Sequence, residues 1–349
     1  MDKNNITIGM DLGDKNNIVV VLDETGEEIA IENIRNTERS LKKFFSRYKN
    51  PTVAIEAGTH SPWISRLLQE IGCTVYVGNP RKLRLIWDSY EKSDKRDARI
   101  LAMVCRVEPR LLWPIKHRDS QAYADLGVIK ARDALVKNRV RLISHIRSVT
   151  KTCGCRIPQC TTVSFSRKAP AYIPEELKES FEPLIGTIDQ LTMKIKQLNR
   201  QIRILCKKYP ETNKLLQVPG VGPVTALAYV LTIDDPYRFP KSRQLGAYLG
   251  LTPKRDQSGK CDKQLRISKT GNTYLRSLLV GCAHYIIGPF GPESDLRKYG
   301  VSIAARGGKN AKKRAAVAVA RKIAVLLHQL WVCEKPYDPS YKSAATCTA

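Results

Sequence analysis

The sequence lacks a signal-peptide pattern at its start, MDKNNITIGMDLG, and has no uninterrupted apolar run long enough to cross a bilayer. A cytosolic, cytoplasmic setting with no membrane partner is therefore expected. Paired Cys-x-x-Cys motifs are missing too. Ten cysteines are present, but without an export signal a reducing compartment predicts free thiols. Cys153, Cys155 and Cys160, the only close group, fit no common zinc spacing. Acid is scarce beside base: 33 Asp and Glu against 59 Lys and Arg, a net charge of +26. The rest, 42% hydrophobic and 26% charged residues over 349 positions, is a globular composition long enough for two or three domains, which excludes a disordered chain.

The charge is unevenly spread. Residues 1–110 carry 18 basic and 16 acidic side chains, a balance of +2, which leaves +24 for residues 111–349. A one-sided field of that size favours a polyanion partner, because each phosphate met by Lys or Arg releases condensed counterions. A merely solubilising face would mix the signs.

From Ile6 to about Cys105, short β-branched runs alternate with amphipathic segments. ITIGMDLG, NIVVVLDETG and EEIAIENI read as strands, with Gly26 turning between the last two. A helix (ERSLKKFFSRY), a strand (PTVAIEAG), a helix opened by Ser61 and Pro62, and a strand (CTVYVGNP) follow. RKLRLIWDSYEKSDKRDARILAMVC reads as mainly helical from Ser93 onward. This order predicts an α/β domain of the ribonuclease-H type. Residues 118–151 and 175–209 then read as two long helices. In the second, Leu177, Phe181, Leu184, Ile188, Leu191, Ile195, Leu198, Ile202 and Leu205 alternate spacings of four and three, a heptad seam with Pro183 as an early flaw. It predicts a coiled coil, either an antiparallel hairpin or a dimerising arm. The intervening TCGCRIPQCTTVSFSRKAPAYIP is a loop. After Tyr209, LLQVPGVGPVTALAYVLTI places PGVG before an apolar helix, resembling a helix-hairpin-helix turn, with a plain helix-to-helix turn as the alternative.

Four acids in the first region stand where a carboxylate needs a reason. Asp11 interrupts the end of an apolar strand, Glu56 ends the apolar strand VAIEAG, and Asp94 and Asp97 lie three apart on one face of a predicted helix. Carboxylates gathered from strand ends and a helix repel each other unless cations lie between them. Two magnesium ions about 3.5–4 Å apart would suit an in-line phosphoryl displacement. The alternative for Asp94 and Asp97 is a charged outer face. GMDLGDKNNIVVVLDETG also resembles the first phosphate loop of actin-like ATPases and sugar kinases, but the second phosphate loop and duplicated body of those folds are missing.

The stretch from Pro236 to Ile287 is the most specific. VPGVGPVTA, RFPKSRQLGAYLGLTP, the QSGK turn, RISKTGNTYLR and KNAKKRAAVAVARKIAVLLHQLW, with DLG at Asp11, IEAG at Glu56 and SDKRDARILA at Asp94 and Asp97, resemble the DEDD transposases of bacterial insertion sequences, the one-ten family, related to the Piv-type pilin-gene invertases. The resemblance implies a RuvC-like DEDD domain over residues 1–110, basic helices and a coiled coil over 111–210, and a mostly helical transposase domain over 211–335, followed by a flexible tail, 336–349. It further implies that Asp11, Glu56, Asp94 and Asp97 bind magnesium, that Ser258 attacks a DNA phosphate to form a phosphoserine linkage, and that a structured bridge RNA pairs with donor and target DNA. Dimers joining into a tetramer on DNA, in a nucleoid-associated setting, are the expected assembly.

A hydroxyl is a weak nucleophile until a metal or base takes its proton, and a covalent phosphodiester conserves bond energy for rejoining. DQSGK sets Ser258 in a Gly-bearing turn among Lys254, Arg255 and Lys260. Family members show a longer Ser/Thr-Gly-Gly turn, so Ser242 and Ser268 stay open as rivals, the first also suited to opening a helix and the second to capping one or meeting phosphate. Candidates for nucleic-acid contact are Lys130, Arg132 and Arg139 on the first long helix, then Lys254, Arg255, Lys260, Lys269 and Arg276, and Lys312, Lys313 and Arg314 near the end. Tyr248 and Tyr274 suit core packing more than base stacking. Two other readings stay open: a metal-dependent nuclease or junction resolvase in which water attacks, and a non-catalytic nucleic-acid-binding protein.

Overall fold

A computed structural model describes residues 6–83, 93–258, 261–333 and 336–340. The chain forms two compact units, Met1–Asp119 and Ser120–Ala349. The expected three-way partition differs in one respect: the long helices and the C-terminal region share one core, in which Ala122, Leu126, Ile129, Ile202 and Cys206 pack with Leu227, Leu279 and Ile323.

The first unit runs β1 (Thr7–Leu12), β2 (Asn16–Leu22), β3 (Glu28–Arg35), α1 (Glu38–Phe45), β4 (Thr52–Glu56), α2 (Ser61–Glu70), β5 (Thr74–Gly78), α3 (Pro80–Leu83) and α4 (Asp94–Val107). Residues 84–92 of the expected helical stretch lie outside the described residues. The sheet order is β3-β2-β1-β4-β5, antiparallel across the first three strands and parallel from β1 to β4 to β5. This is the ribonuclease-H-type arrangement that the strand order predicted. One face of the sheet packs Ile8, Met10, Val19, Val21, Val53 and Ile55 against Leu41, Phe44, Ile64 and Leu68 of α1 and α2. The other face carries α4, through Val20, Leu22, Ala98 and Ala102 and through Ala54, Leu101 and Cys105. Gly9 makes that approach possible, since a Cβ there would lie 1.9 Å from the Ala98 carbonyl oxygen and 2.5 Å from the Ala102 nitrogen.

The second unit comprises α5 (Ser120–Thr152), α6 (Phe165–Lys168), α7 (Glu175–Lys208), α8 (Glu211–Leu215), α9 (Pro223–Ile233), α10 (Gln244–Tyr248), β6 (Pro253–Ser258), β7 (Cys261–Ile267), α11 (Thr273–Ile287), α12 (Asp295–Ala305) and α13 (Ala311–Val332). α5 and α7 run antiparallel: Asp125 meets Lys208, Arg132 meets Asn199, Arg139 meets Thr192, and the His145 ring lies 6.2 Å from Phe181. α7 continues through Pro183. Its buried side is Phe181, Ile188, Thr192, Ile195, Ile202 and Cys206, so at Leu191 and Leu205 burial falls one residue later than the apolar repeat suggested, while Leu177, Leu184 and Leu198 stay half-buried. At Thr192 the physical reason is that its hydroxyl accepts a hydrogen bond from Arg139 of α5, which draws this polar residue inward.

α13 is long and apolar enough to cross a bilayer by length and composition, contrary to the sequence expectation. It is instead a core helix, with Ala315, Ala316, Val319, Ala320, Ile323 and Leu327 buried. Residues 336–340 of the expected flexible tail are pinned: the Tyr337 amide donates to the Gln217 side-chain oxygen (2.9 Å) and the Asp295 amide to the Pro339 carbonyl (3.0 Å). Residues 341–349 lie outside the described residues. Among the described residues no cysteine forms a disulfide, and burial pushes the Cys73 and Cys105 thiols up to about 11 and about 12.

Candidate active site

Strand register decides where the first two acids go. β1 and β4 are parallel neighbours with Gly9 opposite Ala54 and Met10 opposite Ile55. One step further, Asp11 and Glu56 stand side by side at the strand ends. Alternation puts them on the face of Gly9 and Ala54, which is the face covered by α4. Both are half-buried.

The direction of α4 places the other two. Its late residue Arg106 reaches the Glu24 carbonyl in the β2–β3 turn, which lies at the Thr7 end of β1 because Leu22 pairs with Thr7. The helix therefore runs antiparallel to β1 and brings its first turn, with exposed Asp94 and half-buried Asp97, toward the Asp11 end. Ser93 caps this turn by accepting from the Arg96 amide (3.3 Å). The four carboxylates thus share one end of one sheet face. They do not converge to coordination distance: among the described residues no three Asp, Glu, His or Cys side chains are grouped to hold a metal ion. Their hard carboxylate oxygens match magnesium in type, and their common end and face fit the group.

The loops after β1 and β4 are braced by residues that sequence reasoning missed. Buried Asn17 accepts from the Gly13 amide (3.2 Å) and donates to Asn36 (3.3 Å), and Asn36 donates to the Gly13 carbonyl (2.8 Å). His60 links the two loops. The Trp63 indole can only donate, so His60 Nδ1 accepts its hydrogen (3.3 Å) and Nε2 carries a proton to offer Asp14 Oδ1 (3.3 Å). Buried Ser61 bonds His117 Nε2 (2.9 Å). Burial and the nearby Arg66 and Arg118 hold the His117 pKa below the ordinary histidine value. The recognisable signal was the polar run between apolar strands, but nothing in it specified these pairings.

Ser258 ends β6 and is paired across the ribbon with Cys261. Gly259 and Lys260 lie outside the described residues. This antiparallel ribbon replaces part of the expected mostly helical domain. Its residues 254–257 and 262–266 are exposed, so no apolar alternation announced it. The rival serines are engaged elsewhere. His328 Nε2 donates to the Pro236 carbonyl (2.9 Å), so its Nδ1 accepts from the Ser242 hydroxyl (2.9 Å), while Ser268 bonds Thr270 (3.0 Å) and Asn272, not Ser268, caps α11.

The basic candidates separate by burial. Lys130, Lys254, Lys269, Lys312, Lys313 and Arg314 are exposed. Arg255 is exposed but forms a two-pronged pair with Asp262 across the ribbon (2.7 and 2.5 Å). Two of the candidates are buried. Arg276 is 8% exposed and donates to the carbonyls of Leu249 and Thr270, tying two loops to α11. Arg139 is 7% exposed within the helix pair, with its Nε unbonded and burial and Arg132 lowering its pKa. Arg132 is half-buried and bonded to Asn199 (2.7 Å), which leaves it little reach. Tyr248 packs edge-on against Phe239, and Tyr274 is half-buried against the core, as expected for packing residues.

Residues 8–153 match the family model for a DEDD transposase, and residues 212–298 match that of the transposase IS116/IS110/IS902 family. The chain is 29% identical over 310 residues to a probable family 20 transposase of Pseudomonas aeruginosa, covering 86% of this chain and 89% of that protein. It is 26% identical to the transposase for insertion sequence element IS1111A of Coxiella burnetii, covering 90% and 86%. A pilin gene-inverting protein of Moraxella bovis is 31% identical over 149 residues, 41% of this chain and 45% of that one. With a ribonuclease-H-type sheet carrying the ordered Asp, Glu, Asp, Asp and two family models matching in both units, the chain belongs to the IS110 family of insertion-sequence transposases.

Proposed function

We propose that the chain is an RNA-guided DNA transposase that cuts and rejoins strands through a covalent phosphoserine at Ser258, assisted by magnesium held by Asp11, Glu56, Asp94 and Asp97. The observation that carries this reading is the strand register that sets Asp11 beside Glu56 under the incoming first turn of α4. Bound there, divalent cations would supply Lewis acidity to the phosphate and to the attacking and leaving oxygens. The chain's own residues do the rest. Asp11 and Glu56 are fixed by β1 and β4, while Asp14 and His60 hold the loops beyond them together.

Ser258 ends β6 of a ribbon whose residues 254–257 and 262–266 are exposed and include Lys254, Arg255, Lys263 and Arg266, which suits the approach of a phosphate. Its hydroxyl oxygen attacks the phosphorus, the Ser–O–P bond forms, and the phosphorus–oxygen bond to one DNA end breaks. The serine proton is released as the departing DNA oxygen takes one up. A free hydroxyl of a second strand then attacks the phosphoserine, restoring a phosphodiester and returning a proton to the serine. The number of phosphodiester bonds is conserved, so no nucleotide hydrolysis is required. Guidance by a structured RNA rests on the family resemblance and on the exposed lysines of the second unit, which carries +23 of the net charge. Because nucleophile and carboxylates lie in different units, subunits of a dimer or tetramer can contribute one each.

The test is to incubate the protein with magnesium, its element's RNA and matched DNA, and to look for a protein–DNA adduct that survives denaturant. An adduct lost in Ser258→Ala is expected. Cleavage without an adduct would mean that water attacks, and binding alone would mean a non-catalytic role. Mixing Asp11→Ala with Ser258→Ala proteins, each folded, should restore activity if the site is shared between subunits.

A further inference from the structure

At the edge of the first unit, the segment after α4 folds back beside β5. The Asn79 amide donates to the Leu112 carbonyl (2.9 Å) and the Ile115 amide to the Val77 carbonyl (2.8 Å), so the backbone is tied to the sheet on both sides of Trp113. Leu112 is fully buried, whereas Trp113 is 54% exposed. Its φ of +49° is the left-handed conformation that a bulky side chain avoids, and it persists because the flanking bonds impose it. The strained turn presents a large apolar ring to solvent. Lys82 Nζ lies 4.6 Å from its centroid, over one face.

Trp113 lines an open groove of about 570 Å³ with Asn79, Lys82, Arg110 and Leu111. The charged lining residues are both basic. Arg110 is 92% exposed and only 3.9 Å-paired with Glu108, whose carboxylate also accepts from the Arg110 amide. The location adds direction. Asn79 follows Gly78, which pairs with Glu56, so the groove opens at the strand ends that carry the carboxylates. One and two strand spacings, about 5 and 10 Å, separate β5 from β4 and β1.

We propose that Trp113, flanked by Lys82 and Arg110, is a stacking platform for an unpaired base of the DNA strand leading away from the Asp11–Glu56 end. The base stacks on the indole and the two cations meet its neighbouring phosphates. Aromatic stacking is indifferent to base identity and requires the base to be unpaired, which suits an enzyme whose strand specificity comes from elsewhere. This inference rests on the reading that the carboxylate end acts on DNA.

The test compares full-length protein with Trp113→Ala and Trp113→Phe, titrated against a labelled single-stranded DNA oligonucleotide, its duplex and the same sequence in RNA. Trp113→Ala should weaken single-stranded DNA about tenfold, leave the duplex within about twofold, and be largely rescued by Trp113→Phe. Photocrosslinking wild-type protein to an iodouracil-bearing single strand guards against misfolding, and the crosslink should map to the peptide containing Trp113. The proposal is overturned if single-stranded DNA affinity is unchanged, if the duplex falls equally, if only RNA is affected, or if crosslinks map elsewhere. Loss of duplex binding by every protein, wild type included, would instead undo the DNA reading itself.

Discussion

The two units place their polar residues by different means. In Met1–Asp119, with a balance of only +3, the backbone does it: β1 and β4 run in register and Asp11 and Glu56 follow. In Ser120–Ala349, with +23, side chains do it: Asp125 gathers Lys208, Tyr209 and Gln121, Thr192 and Asn199 accept from Arg139 and Arg132, and Arg276 ties loops to α11. A site built on strand register can carry close-set negative charge because the sheet holds it in place. A helical unit with a large positive excess needs internal acceptors for the arginines it buries, and the rest of its charge stays on the surface.

The sharpest way to break the first arrangement is Gly9→Val. Its Cβ would enter backbone atoms of α4, which cannot yield as a flexible side chain would, so a loss of about 3 kcal/mol is expected. Hydrogen exchange should show β1 and α4 losing protection together, while α9 and α13 keep theirs.

The matching change in the second unit is Asp125→Ala. Burial disfavours the Asp125 carboxylate, but hydrogen bonds from Lys208, Tyr209 and Gln121 outweigh it and hold its pKa below the usual value. Because Lys208 is about half exposed, the loss should be near 2 kcal/mol in urea unfolding rather than the larger figure for a fully buried pair.

Acid should strike both units. His117 and His328 are held below the ordinary histidine pKa by burial. Each is therefore bound neutral in the fold, and unfolded chains take up the proton first. Stability is full above about pH 6.5 and declines below it, by at most about 1.4 kcal/mol per histidine per pH unit. Asp125 adds a second loss only as pH falls below the ordinary aspartate value. Thermal unfolding followed from pH 8 to about pH 2 checks the sequence of these losses. A stability that rose on acidification through pH 6 would contradict it.

The smallest effect separates buried from exposed cations. Arg139→Met should leave stability unchanged or slightly raised, because it removes a buried guanidinium that faces no carboxylate in its hydrogen bonding. Its DNA-binding salt slope should match wild type. Lys312→Ala, altering an exposed residue, should leave stability alone, and the slope should fall by about 0.9 if that lysine meets a phosphate.

Legibility in the sequence followed the same division. The five strands and the helices α1, α2 and α4 could be read because burial writes β-branched runs and amphipathic repeats, and Asp11 and Glu56 stood out as acids at the ends of apolar runs. The pairings behind them, Asn17 with Asn36 and His60 with Asp14, could not be read, since a side-chain hydrogen bond leaves no periodicity. In the second unit the long helices were legible, but burial at Leu191 was displaced by one residue, because Thr192 is buried by its partner Arg139 rather than by its own character. The burial of Arg139 and Arg276 was not legible either: charge type does not reveal burial. The β6–β7 ribbon was read only as a turn, for it has no apolar face.

The central claim is tested most directly by identifying the atom that joins protein to DNA. Wild-type protein, magnesium, element RNA and matched DNA are combined, the denatured adduct is digested with nuclease and protease, and the peptide bearing the nucleotide remnant is sequenced by mass spectrometry. The account predicts the remnant on Ser258, and no adduct with Asp11→Ala or Glu56→Gln proteins that still bind DNA. A remnant on Ser242 or Ser268, or an adduct that persists without the carboxylates, would contradict it.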